Sequence, residues 1–340
     1  MIPEEKCAAV TRGLREAFGV TEFEDIVTIT KGRTDSLVFR IIVRGSPYLL
    51  KLIKRAEDPT RHYTCMKAAA DAGLAPQVRY TNIEDKLSIT DFVQAIPFSR
   101  PEALVRMPAL LRSLHGLPRF ARAPFNTTTT FLLNKGPALD GFLAQVRASD
   151  VIPNAVSEEF FDRYAEVAAV YPYDDTEMVA SHNDLFKPDN ILFDGQCVWL
   201  VDWEAAFLND RYADLAVVAN QLVADDGEER AYLEAYFGEP PDEYRQARFF
   251  LMQQLTHMFY AMAFLLLGSA CTPIDWCEKG QEFSTFQRRF WAGEIELLDS
   301  PRKTAYGRFH WERLFQNVRQ PRYKRALSIV AERHGTNAAP

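Results

Sequence analysis

The chain has 340 residues, a formal net charge of −7 and a hydrophobic fraction of 47%. A chain of this length can bury a large core, which predicts either one two-lobed unit or two domains. The negative charge argues against general nucleic-acid binding, because nucleic-acid-binding surfaces are basic. The longest apolar run, Met258–Leu267, is too short to cross a bilayer, so no membrane partner is expected either.

The cysteines predict a reducing compartment. They are five, an odd number, and form no Cys-x-x-Cys pair, so free thiols are expected. The residues that follow Met1 lack the apolar stretch of a secretory signal. A cytoplasmic location is therefore expected, whereas the sequence leaves the oligomeric state open.

The first part of the chain, residues 1–93, is predicted to form an antiparallel sheet with one inserted helix. Helical spacing of apolar residues predicts a helix over Pro3–Phe18. Runs of β-branched and apolar residues predict strands, and Gly73 ends a second helix. The elements predicted after the first helix are Phe23–Ile29, Ser36–Val43, Tyr48–Ile53, the helix Asp58–Ala72, Val78–Tyr80 and Leu87–Val93.

The second part, residues 94–340, is predicted to be mainly helical and to be interrupted by a hairpin. A sheet followed by a helical region makes α+β the expected fold class. The predicted helices are Leu104–Leu117, Glu158–Val170, Tyr212–Ala224, Glu228–Phe237, Asp242–Leu267, Gln281–Leu298 and Tyr323–Arg333.

Polar motifs on both sides of the hairpin predict phosphoryl transfer. Asp184 lies in a His-x-Asp loop that ends at Asn190, directly before a short apolar strand, and Asp202 follows a second such strand. Because Asp194-Gly195 is a strong hairpin signal, Asn190 and Asp202 are expected at one end of the hairpin. Their oxygens could hold Mg²⁺ against the phosphates of ATP. Asp184 is the candidate to orient the acceptor hydroxyl and take its proton.

The segments Ser181–Phe193, Leu200–Glu204 and Leu208–Ala216 together resemble the protein-kinase-like superfamily, and within it the branch of choline/ethanolamine kinases and aminoglycoside phosphotransferases. The His-Asn-Asp opening and the Asp-Trp-Glu end are similar to choline-kinase-type proteins. The resemblance implies a bilobal fold, with a small antiparallel-sheet N-lobe over 1–93 and a larger, mainly helical C-lobe over 94–340. It also implies ATP and Mg²⁺ as cofactors, and Asp214 as the residue that braces the catalytic loop.

The catalytic loop departs from the protein-kinase pattern by one residue. In that pattern the Asn follows the Asp by five positions, but here the fifth residue is Asp189 and Asn190 is the sixth. We interpret this difference as an insertion, because Asn190 directly precedes the strand; the alternative is that Asp189 binds the metal. Lys187, within the loop, could stabilise charge on the transferring phosphate.

Lys51, on the third predicted strand, is the candidate lysine for the α- and β-phosphates of ATP. The alternative is an ordinary lysine on the outer face of a half-buried strand. In protein kinases a Glu on the following helix pairs with this lysine. The predicted helix Asp58–Ala72 contains no Glu, so the partner of Lys51 is left unassigned.

The resemblance places further nucleotide-binding residues in two short segments. The turn before the second strand is expected to cover the phosphates, although a plain β-turn is the alternative. The main chain at the end of the last N-terminal strand is expected to bind adenine, and the same residues would also fit the end of a buried strand. The residues concerned are Gly32, Thr34 and Ser36 in the turn and Asp91 and Val93 at the strand end.

Three residues are candidates for contact with the substrate. The resemblance places Glu204 near substrate or metal, although a surface carboxylate is the alternative. Trp203 and Tyr212 could attract a quaternary ammonium through their ring faces, a contribution of about 0.5–2 kcal/mol. For any single aromatic residue, packing in the core is the competing interpretation.

The sequence thus predicts a kinase that transfers the ATP γ-phosphate to a small-molecule alcohol, with a choline- or ethanolamine-type amino alcohol as the first expectation. An aminoglycoside is the second. A nucleotide-binding pseudokinase that acts as a regulatory module is an alternative of another class, supported by the extra loop residue and the missing helix Glu. A protein substrate is not expected, because no Asp-Phe-Gly and no long activation loop occur.

Overall fold

The structure is a computed structural model that describes residues 2–29, 36–122, 144–149, 151–152, 154–172, 177–269 and 283–337. The chain divides into two compact units. The first is Met1–Pro97 with Asn190–Phe207, and the second is Phe98–Asp189 with Leu208–Pro340. The hairpin that carries Asp202 therefore belongs to the first unit. The sequence-based division between residues 93 and 94 stays a prediction.

The first unit is built on a five-stranded sheet in the order β1-β2-β3-β5-β4, with antiparallel neighbours throughout. The predicted antiparallel sheet with one inserted helix is confirmed. Its elements are α1 (Glu4–Phe18), β1 (Asp25–Thr28), β2 (Ser36–Val43), β3 (Ser46–Ile53), α2 (Thr60–Asp71), β4 (Val78–Asn82) and β5 (Leu87–Asp91).

Alternation along the strands buries one face of this sheet. Phe39 and Ile41 of β2 and Leu50 and Leu52 of β3 are all buried, and Leu14 of α1 belongs to the same core cluster. Burying a side chain of this size stabilises the fold by about 1.5–3 kcal/mol. The intervening residues of each strand face the other way, so the sequence alternation sets which side chains remain accessible.

A tight hairpin fixes the register of Lys51. β2 and β3 pair as far as Val43 and Ser46, which leaves Arg44 and Gly45 as a two-residue turn with φ values of 52° and 74°. Positive φ at both positions is typical of the type I′ turn that joins twisted strands. In this register Lys51 lies opposite Val38 on β2, and its side chain leaves the sheet on the face opposite to the core.

A second hairpin of the first unit carries the metal-ligand candidates. β7 (Ile191–Phe193) and β8 (Val198–Leu200) pair antiparallel, as predicted. The Asp194 carboxylate closes the turn by accepting the main-chain N–H of Gln196 at 2.8 Å and of Cys197 at 2.7 Å. A 3₁₀ turn, Trp203–Ala205, follows the hairpin.

The second unit is mainly helical, as predicted, and its described residues include a small two-stranded sheet made by β6 (Met178–Ser181) and β9 (Phe207–Asp210). These two strands, of four residues each, were not predicted. The elements are α3 (Arg100–His115), α4 (Asn154–Val170), β6 (Met178–Ser181), β9 (Phe207–Asp210), α5 (Arg211–Leu222), α6 (Asp226–Phe237), α7 (Glu243–Ser269), α8 (Phe283–Trp291), α9 (Ser300–Val318) and α10 (Pro321–Asn337).

Helix α9 was missed by the sequence analysis, although its start carries a clear signal. The Asp299 carboxylate accepts the main-chain N–H of Arg302 at 2.9 Å, and a proline occupies the first turn. Glycines let α9 approach α7 closely. A Cβ on Gly307 would lie 2.8 Å from the Leu265 nitrogen, so a larger residue there would force the helices apart.

Helix α7 is the element of the described residues that is long and apolar enough to cross a membrane, judged by length and composition alone. Within the structure, 78% of its most apolar window is buried. It packs against α5, α9 and α10, as a core helix does. The prediction that the apolar run Met258–Leu267 belongs to a buried helix is confirmed; the absence of a membrane partner stays a prediction.

Three of the cysteines, Cys7, Cys65 and Cys197, lie within the described residues and are free thiols. Cys271 and Cys277 lie outside them. The expectation of free thiols is met for the three described cysteines, whereas the cytoplasmic location stays a prediction.

Candidate functional site

In the first unit, Lys51 forms ion pairs with two carboxylates of the Asp-Trp-Glu motif. Its Nζ lies 2.9 Å from Oδ1 of Asp202 and 2.9 Å from Oε1 of Glu204. Burial alone would lower the pKa of a lysine, but the charges and hydrogen bonds of these two carboxylates outweigh it, so the pKa of Lys51 is raised above its ordinary value. Lys51 is therefore a fixed positive charge that points away from the hydrophobic core.

The partner that the sequence left unassigned is thus the pair Asp202 and Glu204. Glu204 has further cationic neighbours, because Arg55 Nη1 lies 3.2 Å from its Oε2. Arg61 of α2 donates to the main-chain carbonyl of Glu204 at 3.0 Å and to that of Ala206. These contacts are with cations of the protein itself, and the substrate contact suggested for Glu204 stays a prediction.

The end of the second hairpin brings the metal-ligand candidates together. The N–H of Val201 donates to the carbonyl of Asn190 at 3.0 Å, so Asn190 adjoins the residue that precedes Asp202, as predicted. Asp202 has a φ of 67°, a left-handed conformation that costs a non-glycine residue about 1–2 kcal/mol. Such strain is concentrated at functional sites. The metal-binding roles of Asn190 and Asp202 stay predictions.

The burial of Asn190 and Asp189 bears on which of the two would bind the metal. Asn190 is 4% exposed and is joined to the hairpin, whereas Asp189 is exposed. A ligand must be held in place to bind a metal with defined geometry. The burial of Asn190 favours it as the ligand and agrees with the interpretation of the loop as a one-residue insertion.

The oxygen donors at this end of the hairpin suit a hard divalent cation. A carboxylate and an amide oxygen are ligands that Mg²⁺ accepts, and Mg²⁺ with a nucleotide needs only one or two carboxylates besides the phosphates. The Asp202 side chain is 34% exposed, so part of it is accessible to solvent. Among the described residues, no group of three or more His, Cys, Asp or Glu side chains could hold a metal by itself.

The remaining nucleotide-binding candidates are only partly within the described residues. Gly32 and Thr34 lie outside them. Ser36 begins β2 and pairs with Ile53. The Asp91 carboxylate is held by Arg79 through bonds of 2.7 and 2.9 Å.

Asp91 and Val93 differ in the hydrogen bonding of their main-chain groups. The N–H of Asp91 already donates to the carbonyl of Gln77 at 2.9 Å. Within the described part of the chain, no hydrogen bond involves the main chain of Val93. Of the two, Val93 therefore has the polar main-chain groups that a ligand could use.

In the second unit, the catalytic-loop candidates Asp184 and Lys187 form an ion pair. Lys187 Nζ lies 2.7 Å from Asp184 Oδ2, and the Asp184 side chain is 15% exposed. The preceding residue, Asn183, has a φ of 64°. Its amide is fixed at both ends, because Oδ1 accepts from Asn209 at 2.6 Å and Nδ2 donates to the Ser181 carbonyl at 3.3 Å. The loop that presents Asp184 is therefore held in one strained conformation.

Asp214 of α5 braces this loop, as the resemblance implied. Its carboxylate accepts the main-chain N–H groups of His182 and Asn183, both at 2.8 Å, and lies 3.4 Å from Nε2 of His115. Burial alone would raise the pKa of Asp214, but the hydrogen bond and charge of His115, with those of His182, hold it below its ordinary value. His115 therefore has a structural role beside this loop.

The two aromatic residues predicted to contact the substrate are both buried. Trp203 is 1% exposed, and its indole N–H donates to the Leu200 carbonyl at 3.2 Å. Tyr212 is 2% exposed, and the guanidinium carbon of Arg248 lies 5.1 Å from its ring centroid. Since neither ring has an accessible face, burial gives no support to their predicted role in binding a substrate cation, and core packing is the better interpretation.

Other aromatic residues, which the sequence analysis did not assign to the site, lie beside the catalytic loop. The ring centroid of Phe186 is 5.1 Å from that of Tyr260, 5.6 Å from Phe264 and 6.1 Å from Tyr306. Burial and then the charge of Asp184 raise the pKa of Tyr306, and burial, Tyr306 and Asp184 together raise that of Tyr260. The charge of Asp184 therefore acts on both phenols.

The sequence contained a signal for only some of these aromatic residues. Tyr260 and Phe264 are one helical turn apart within a helix that was predicted. Tyr306 belongs to α9, which was not predicted, so its approach to the loop could not be anticipated.

Sequence comparison establishes the family. The profile described as the phosphotransferase enzyme family matches residues 25–250, a span that contains Lys51, the catalytic loop and Asp202. The chain therefore belongs to this family of phosphotransferases, and the resemblance stated above is confirmed. A search of curated proteins gave no match.

Solved structures share the fold at low identity. A choline/ethanolamine kinase family protein from Mesorhizobium loti is 19% identical with a TM-score of 0.67, over 94% of this chain and 98% of that one. Choline kinase LicA from Streptococcus pneumoniae is 13% identical with a TM-score of 0.57, over 84% and 97%. Spectinomycin phosphotransferase APH(9)-Ia, solved with ADP and spectinomycin, is 12% identical with a TM-score of 0.52, over 89% and 98%. These similarities confirm the predicted α+β, kinase-like fold class.

Proposed function

We propose that this chain transfers the γ-phosphate of ATP to an alcohol group of a small molecule, and that the acceptor is an amino alcohol of the choline or ethanolamine type. Its membership in the phosphotransferase family supports the reaction class. The observation that carries the use of ATP is the ion pair between Lys51 and Asp202, at 2.9 Å, beside Asn190. These are the residue types that hold a nucleotide and its metal in kinases.

In phosphoryl transfer the protein contributes mainly positioning and electrostatic stabilisation. Lys51 would hold the α- and β-phosphates, and the main chain of Val93 would bind the adenine ring. Asp202 and Asn190 would hold Mg²⁺, which when bound neutralises negative charge on the phosphates. The ion pair with Lys51 holds the Asp202 carboxylate in place before the nucleotide binds.

Asp184 is the proposed general base. Its carboxylate would accept a hydrogen bond from the acceptor hydroxyl, orient it and take its proton. Lys187, 2.7 Å away, holds the carboxylate through one hydrogen bond and supplies a positive charge for the transferring phosphate. Asp214 fixes the main chain of the two residues before Asp184, so the base does not have to be ordered during the reaction.

The aromatic group next to Asp184 supports an ammonium-bearing acceptor. An ammonium is attracted to aromatic faces by about 0.5–2 kcal/mol. Phe186 is the half-buried member of the group, and Lys187 Nζ lies 5.3 Å from its ring centroid, so this ring already accommodates one cation. An ammonium and a hydroxyl joined by a short carbon chain could reach this ring and Asp184 together.

The test is ADP release in the presence of Mg·ATP, measured with choline, ethanolamine and an aminoglycoside as acceptors. Asp184→Asn is measured in parallel, and Asp162→Asn, an exposed aspartate of α4, is the matched control. We expect one amino alcohol to stimulate ADP release, and only Asp184→Asn to abolish the stimulation.

The other outcomes separate the alternatives. Stimulation by the aminoglycoside alone would keep the mechanism and replace the acceptor class. ATP binding without turnover on any acceptor would contradict the proposed enzyme and favour the pseudokinase. A cytoplasmic enzyme without nucleic-acid or membrane partners is part of the same proposal and depends on charge and thiol content alone.

A further inference from the structure

We propose that Glu204 is the residue that positions Lys51 for the nucleotide phosphates, in place of the helix glutamate that does this in protein kinases. The inference rests on the proposed function, because it concerns the same nucleotide site. Glu204 would act through Lys51 and is a positioning residue. Three observations within the first unit carry the proposal: the composition of α2, the contacts of Lys51, and the way Glu204 is anchored.

Helix α2 cannot supply the glutamate that pairs with this lysine in protein kinases. It extends from Thr60 to Asp71 and contains no glutamate, and its one aspartate is an exposed residue at its C-terminal end. The carboxylates that meet Lys51 come instead from the turn after β8, where Asp202 and Glu204 each lie 2.9 Å from its Nζ. The acid that a kinase helix carries has thus moved to the segment that follows the metal-ligand candidate.

Lys51 needs both carboxylates as partners, because Asp202 is also the proposed metal ligand. An Asp202 oxygen that binds a metal ion has less charge to offer Lys51. Glu204 is then the partner that keeps the ammonium of Lys51, whose side chain is 15% exposed, in place. Glu204 itself is 24% exposed.

Glu204 is anchored by arginines on the side away from Lys51. Arg55 Nη1 lies 3.2 Å from Oε2, while Lys51 contacts Oε1. Arg61 of α2 donates to the main-chain carbonyls of Glu204, at 3.0 Å, and of Ala206. The helix still takes part in positioning the lysine, but it presents a cation that fixes the acid rather than the acid itself.

The experiment measures nucleotide affinity without any acceptor. ADP and adenosine are titrated into the full chain in the presence of Mg²⁺, so that Asp202 is engaged with the metal it is proposed to bind, and Glu204→Gln is compared with the wild type by calorimetry. Because Lys51 would contact the phosphates and not the base, we expect ADP affinity to fall about tenfold, equivalent to about 1.4 kcal/mol, with adenosine affinity unchanged. General damage to the fold would weaken the binding of both ADP and adenosine.

Asp85→Asn is the matched control, because Asp85 is also a carboxylate of the first unit, paired with Arg12 at 2.6 Å. It should change neither affinity. An unchanged ratio of ADP to adenosine affinity in Glu204→Gln would overturn the inference, and a wild type that binds no ADP would overturn both the inference and the proposed function. If Glu204→Gln selectively lowers ADP affinity but the wild type phosphorylates no alcohol, the positioning role of Glu204 is supported and only the proposed function is contradicted.

A second variant covers the case in which Glu204→Gln does not fold. Arg61→Met keeps both carboxylates and removes the anchor, with Arg12→Met as its matched control. We expect a smaller but equally selective loss of ADP affinity in Arg61→Met and none in Arg12→Met. ADP affinity that stays at the wild-type level in Arg61→Met would contradict the anchoring by α2.

Discussion

The charged groups of the two units differ in how firmly the fold holds them. In the first unit, the side chains of Lys51, Asp202 and Glu204 are 15%, 34% and 24% exposed and are paired mainly with one another. In the second, the side chain of Asp214 is 1% exposed, and its carboxylate is bonded to main-chain N–H groups. The groups that are proposed to meet a ligand are partly exposed, whereas the group that shapes a loop is buried and bonded to the backbone.

This difference separates two kinds of mutational effect. Partly exposed ion pairs contribute little to stability, about 0–1 kcal/mol. A buried carboxylate that satisfies backbone donors leaves them unpaired when it is removed, at a cost of about 1–3 kcal/mol for each donor. Substitutions in the first group should therefore change ligand binding, and substitution of Asp214 should change the fold.

The largest effect is expected for Asp184→Asn. The amide keeps the shape of the side chain but cannot accept the hydroxyl proton, so turnover should fall by about 10²–10⁴-fold. ADP affinity should stay at the wild-type level, because the nucleotide is held by other residues. Steady-state kinetics with the preferred acceptor check the first part and calorimetry the second. Turnover within a few-fold of wild type would contradict Asp184 as the base.

The largest loss of stability is expected for Asp214→Ala. It leaves the main-chain donors of His182 and Asn183 unpaired, so the free energy of unfolding should fall by about 2–6 kcal/mol. Urea denaturation measures the change, with Asp162→Ala as an exposed control expected to stay within about 0.5 kcal/mol. Equal urea midpoints for Asp214→Ala and Asp162→Ala would refute the view that Asp214 stabilises the fold through its backbone contacts.

A pH effect is expected from His257 and His310, whose Nδ1 atoms lie 2.8 Å apart between α7 and α9. Burial lowers the pKa of His310 to about 3, and burial with the charges of His310 and Arg313 lowers that of His257. Because the folded-state values lie below that of an unfolded histidine, about 6.5, the unfolded state takes up protons first. Their contribution to stability is complete above about pH 6.5 and decreases as the pH falls.

The decrease should reach up to about 1.4 kcal/mol per pH unit for each histidine. Urea midpoints between about pH 7 and about pH 5 measure it, a range in which most carboxylates remain ionised. In His310→Gln the slope should be smaller, since one of the titrating groups is gone. A slope that is unaltered by the substitution would contradict the burial of the pair in the neutral form.

The smallest effect concerns backbone strain at Asp202. Glycine adopts a φ of 67° without strain, whereas alanine does not. Asp202→Gly and Asp202→Ala both lack the carboxylate, so the difference between them isolates the backbone. We expect the glycine variant to be more stable by about 1 kcal/mol in urea denaturation. Greater stability of the alanine variant would contradict the left-handed conformation.

The local features of the site could be predicted from sequence, because short-range chemistry determines them. Asp194-Gly195 specifies the hairpin, and the hairpin brings Asn190 beside Asp202. The role of Asp214 followed from a motif near the catalytic loop. In each case a turn signal or a recognisable pattern defines the contact without knowledge of the tertiary structure.

Contacts between distant segments could not be predicted. The partner of Lys51 lies 151 residues along the chain at Asp202, and nothing in either segment indicates their pairing. The sequence left open whether Trp203 and Tyr212, which are close in sequence to the candidate catalytic residues, contact the substrate or pack in the core; both are buried. Tyr306 was overlooked because the start signal of α9, an Asp-Ser-Pro sequence, was not used.

The central claim is that this phosphotransferase acts on a small amino alcohol with Asp184 as the base. The most direct measurement is mass spectrometry of the acceptor after incubation with Mg·ATP and either the wild type or Asp184→Asn. The account predicts that the wild type adds one phosphoryl group to choline or ethanolamine and that the variant adds none. Phosphorylation by both proteins, or ADP formation by the wild type with every acceptor left unmodified, would contradict it.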